Sequence, residues 1–80
     1  MKVHVVLADH WEVAGTVTRA YASEEGANKE CASLVNILLT DSDLTPDATA
    51  ENWPNRLATV QEIHGAQYCY VAIVPAEVLP

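Results

Sequence analysis

The sequence is poor in nearly everything a catalytic or nucleic-acid-binding domain uses. Four basic residues face eleven acidic ones, for a formal net charge of −7. Duplex binding needs Lys and Arg to displace condensed counterions, so direct nucleic-acid binding is not expected, and an anionic membrane surface is disfavoured on the same ground. Three glycines leave little for a phosphate-cradling loop, and neither GxSxG nor HExxH occurs. The two cysteines, Cys31 and Cys69, form no CxxC, and with the three histidines they match no zinc spacing. No metal, no cofactor and no enzymatic activity are expected. No run approaches the ~18 apolar residues of a membrane span. The start, MKVHVVLADHWEV, meets Asp9 and Glu12 with no small-residue cleavage site, so a signal peptide is not expected either. Widely spaced cysteines fit a reducing cytoplasm better than a disulfide scaffold.

What remains is a chain of 80 residues, half of them hydrophobic, enough for a single small domain over 1–80. Residues 2–8, KVHVVLA, alternate Val3, Val5 and Leu7 against His4, Val6 and Ala8. Both sets are largely apolar, which predicts a central strand. DHWE reads as a turn, and VAGTVTRAY, 13–21, as the second strand of a hairpin, with Gly15 at a bulge. In YASEEGANKEC, Ser23 is a good N-cap and Glu24 and Glu25 fall where a helix dipole favours negative charge. Ala27, Cys31, Leu34, Val35 and Leu38 then make one apolar stripe, predicting a helix over about 23–39. The two glutamates therefore read as a helix start, not an acid/base pair. A second helix is expected from 52–54, where Pro54 is tolerated, to His64, with Gly65 as its stop. A strand through ATVQEI is the competing reading of that segment. QYCYVAIV, 67–74, is the last strand, with Pro75 ending the ladder.

The order β-β-α-α-β implies an α+β fold, a three-stranded antiparallel sheet with both helices packed on one face and the first strand in the middle. The other sheet face is expected to carry His4, Val6, Tyr68 and Tyr70. Val6, Tyr68, Cys69 and Tyr70 are the candidate contacts for pairing with a second copy. Cys69 stays open between a buried thiol and an exposed one able to form an intermolecular disulfide. Trp53 is expected in the core. Trp11, between Asp9 and Glu12, has the composition of a recognition spot. Asp41, Asp43, Asp47 and Glu51 form an acidic segment with no Lys or Arg. Asp9, Trp11, Glu12, Asp41, Asp43, Asp47 and Glu51 are the candidate partner-binding residues, suited to a protein partner with a basic groove.

The hairpin, followed by Tyr21-x-Ser23-x-Glu25-x-Ala27 and a terminal Val74-Pro75, resembles a type found among phage and prophage proteins, with Gly26 departing from the helix-favouring residue expected there. Small size and acidity also resemble type I anti-CRISPR proteins, a resemblance of character that carries over no individual residue. It implies a protein inhibitor, in the cytoplasm of a bacterial host, that binds a type I CRISPR-Cas surveillance complex and blocks target DNA binding. The alternative is a small dimeric phage adaptor or structural domain with no inhibitory role.

Overall fold

The computed structural model describes residues 1–11 and 13–79, with the side chains of 13–18 outside the description. The elements run β1 (Lys2–His10), β2 (Val13–Tyr21), α1 (Glu24–Asp41), α2 (Trp53–His64) and β3 (Cys69–Glu77). The sheet is antiparallel in the order β2-β1-β3, with β1 in the middle as its apolar faces require. A register shift between Asp9 and His10 skips Ala14 and Gly15 on β2, the bulge anticipated at Gly15. β1 runs on through DH to His10, so the turn is shorter than the sequence implied.

α1 starts as its sequence dictates. Ser23 Oγ accepts from the Gly26 amide at 3.0 Å, and Glu24 and Glu25 fill the first turn. A Cβ on Gly26 would come within 3.2 Å of Ser23 Oγ and 3.3 Å of the Tyr21 ring, so the departure from a helix-favouring residue makes room for the cap. Segment 53–64 is helix rather than strand. Pro54 sits in its first turn, and Trp53, Leu57 and Val60 turn inward.

Ala27, Cys31, Val35, Leu38 and Leu39 of α1 close over Val6 and Ala8 of β1 and Cys69 and Val71 of β3. This reverses the expected facing of β1. In an antiparallel ladder, directly opposite residues share a face, and β1 pairs Val6 with Ile73, Ala8 with Val71 and His10 with Cys69. Val6 and Cys69 are fully buried under the helices. They contribute to no exposed interface, and His4 shares their side of the sheet. The open face carries Val3, Val5 and Leu7 with Tyr70, Ala72 and Val74, of which Tyr70 and Val74 are exposed. Tyr68 is exposed but precedes β3, in the turn whose amide bonds Gly65 O. Pro75 does not end the ladder: it pairs with His4, and β3 continues to Glu77. An edge strand tolerates a residue without an N–H.

Candidate protein-binding site at the hairpin end

Both helices end at the same end of the molecule. Trp53 in the first turn of α2 donates from Nε1 to Asn28 Oδ1 near the start of α1, at 2.8 Å. At the other end, Ser42 Oγ, the C-cap of α1, lies 3.0 Å from His64 Nε2, the last residue of α2. The helices are therefore roughly parallel, and both bring their negative dipole ends to the β1–β2 turn.

The loop between them runs back along α1 and is pinned there. Asn36 receives the Ala48 amide at Oδ1 (2.8 Å) and donates from Nδ2 to Ala48 O (3.2 Å), so one side chain satisfies both polar groups of a buried residue. Asn52 closes the lower part of the loop by accepting the Thr49 amide at 2.6 Å and donating to Asp47 O at 3.2 Å.

At the shared end, the Trp11 indole N–H donates to Asp41 Oδ2 at 3.0 Å. The same ring lies tilted over His64, with centroids 4.7 Å apart, and edge-on to His10 at 6.3 Å. Trp11 remains 44% exposed, so its other side is available to a partner. His10 is buried, and burial holds its imidazole below the ordinary value against the opposing pull of Asp41 and Asp9.

Asp43 has an unusual backbone. Its φ of 59° is left-handed, at the position just past the helix where Gly is the usual residue. The Asp43 amide bonds Thr40 O and the Leu44 amide bonds Leu39 O, the paired pattern of a Schellman turn. α1 thus ends with Asp41 and Asp43 and no basic residue in its last turn, against the preference of its own dipole.

Among the described residues no Lys or Arg stands at this end; its basic side chains are His10 and His64. Arg19 is paired with Glu30, Lys29 with Glu25 and Arg56 with Asp47. Lys2 stands at the far end of β1. Beside Asp41, the side chains of Ser33, Asn36, Ile37 and Thr40 line a shallow hollow of about 280 Å³, with Ile37 44% exposed.

The structure therefore divides the residues singled out in the sequence. Trp11 and Asp41 meet, and Asp43 lies at the same helix end. Asp9 is exposed at this end of the sheet but on its open face, opposite Tyr70. Asp47 and Glu51 belong to the returning loop, displaced ~8–20 Å along α1 at a rise of ~1.5 Å per residue, and Asp47 is occupied by Arg56 at 2.8 Å. Glu12 lies outside the described residues. Sequence reasoning missed His64 and Ile37. His64 reads as a helix end, and Ile37 falls off the apolar stripe, which was a usable sign of an exposed apolar contact.

Among the described residues, no group of three or more His, Cys, Asp or Glu is placed to hold a metal ion, and no helix is long and apolar enough to cross a membrane. Neither a scan against protein-family models nor searches of the curated proteins and the solved structures find a match to this chain.

Proposed function

We propose that the protein acts by binding, not by catalysis, and that it presents its hairpin end to a basic groove built to hold DNA. Carboxylates take the place of phosphates, and Trp11 supplies the apolar anchor. The most specific form of this reading is an inhibitor of a type I CRISPR-Cas surveillance complex, acting in the bacterial cytoplasm. The observation that carries it is the placement of Asp41 and Asp43. Both stand at a helix end that disfavours negative charge, one of them in a backbone conformation suited to Gly, with no basic neighbour in the last turn. Helix-end preferences would favour Gly at 43 and, apart from the bond that Asp41 accepts from Trp11, Lys at 41. A charge that stability does not favour is explained by a partner that does.

The test is direct. The chain is mixed with a purified type I surveillance complex, and target-DNA binding is followed by electrophoretic shift. The expected result is loss of DNA binding at stoichiometric inhibitor, relieved as salt rises through the range where surface charges are screened. Absence of any complex at low salt overturns the reading and leaves the adaptor role.

A further inference from the structure

The open face of the sheet belongs to neither the core nor the hairpin-end site. We infer that it is the contact surface for a second copy of this chain, sheet against sheet. On β1 it presents Val5 and Leu7, and on β3 Tyr70, Ala72 and Val74. Tyr70 is 46% and Val74 43% exposed, although both lie in regular strand paired to β1. A half-buried antiparallel sheet ordinarily alternates apolar and polar residues. In β1 and β3 both faces are largely apolar, so the second face lacks its cover.

Charge selects the occupant. Among the described side chains of β1 and β3, the open face carries a single charge, Asp9 at one end. It offers no base to a phosphate or an anionic lipid, and no row of acids to a basic protein. A second copy of the same face, uncharged except at the Asp9 end, is its natural complement, because two chains of net charge −7 can meet across it with few opposing like charges among the described side chains. A strand added at the β3 edge fits less well, because Pro75 interrupts the donors along that edge.

Area sets the strength. Strands of nine residues span ~30 Å, and three side by side span ~14 Å. Allowing for corrugation, two such faces bury ~1,000 Å² in total, the lower bound for a specific interface. The pair is therefore of the weak, reversible class. It is not disulfide-linked, because both cysteines are buried. The inference is independent of any inhibitory role, since Trp11, Asp41 and Asp43 lie on the helix side and off the open face.

Sedimentation velocity over a concentration series, under reducing conditions, tests it. The expected result is a concentration-dependent shift from 8.7 kDa towards twice that mass. Val74→Lys, on an edge strand where a long side chain still reaches water, should weaken the pair at least ~30-fold. Ile37→Lys, equally exposed on α1, should leave it unchanged. Circular dichroism confirms that each variant is folded, and Val74→Thr, a milder change at the same site, should weaken pairing less than the lysine. A chain that stays monomeric up to ~1 mM, or one whose dimer is lost in Ile37→Lys and kept in Val74→Lys, overturns the inference.

Discussion

Trp11 and Asp41, thirty positions apart, are joined by a 3.0 Å hydrogen bond that ties the β1–β2 turn to the end of α1. The bond is exposed, so its net contribution to stability is modest. Its larger consequence is positional: the indole is held against His64 with one side towards solvent. Trp11→Phe should keep the apolar surface and lose the tether, lowering stability by about 0.5–1 kcal/mol. Chemical denaturation checks this, and a loss above about 3 kcal/mol would mean that Trp11 is a core residue rather than a presented one.

Asp43→Gly should separate stability from function. Glycine removes the left-handed strain and one charge at the helix end, raising stability by ~1 kcal/mol. The same change should weaken partner binding. A variant less stable than the wild type in urea would contradict the account of Asp43 as a residue retained against the preference of the fold.

At the start of α1 the cap and the charges are separable. Ser23→Ala should cost about 1 kcal/mol by orphaning the Gly26 amide. Replacing Glu24 and Glu25 with Gln should cost less and leave partner binding intact. Loss of binding in that double variant, with the fold preserved, would give the helix start a role in recognition.

The thiols offer a reactivity test. Burial, with a smaller push from Glu30, raises Cys31 to about 11, and burial raises Cys69, whose Sγ also contacts Gly65 O at 3.6 Å. Both should resist a maleimide in the native state and react only on opening. Rapid labelling of native Cys69 would restore the exposed-thiol reading that the structure overturns.

His10 predicts a pH dependence. Its folded-state pKa lies below the ordinary 6.5, chiefly through burial, so between the two values the unfolded chain binds more protons. The stability it contributes is fully present above pH 6.5 and is lost as pH falls through the folded value. Urea midpoints measured from about pH 7.5 to about pH 5 should fall on the acid side, and His10→Gln should flatten that fall. An unchanged slope in His10→Gln would assign it to other groups.

Much of the fold was legible because local signals agreed. Ser23 with the two glutamates marks one helix start, Trp53-Pro54 the other, and Gly65 a stop. The facing of β1 was not legible, because Val3, Val5 and Leu7 are as apolar as Val6 and Ala8. Only the pairing of Val6 with Ile73 decides which set lies beneath the helices. Pro75 misled for a related reason: a proline ends a central strand but not an edge strand, and edge position is a property of the assembled sheet. At the candidate site, composition identified Trp11 and the acids. Their division into a Trp11–Asp41–Asp43 end and a displaced Asp47–Glu51 stretch depends on Asn36 pinning the loop back along α1, a contact between residues twelve apart in sequence.

The central claim is that the hairpin end, rather than acidity in general, engages the partner. Association kinetics with an immobilised type I surveillance complex compare two charge-neutral pairs. In Asp41→Asn with Asp43→Asn, Asn still accepts from Trp11 and tolerates the left-handed backbone. The other pair is Asp47→Asn with Glu51→Gln. The account predicts that the first slows association ~10-fold at low salt with a smaller change in dissociation, while the second has little effect. Equal slowing by both pairs, or by neither, would contradict it.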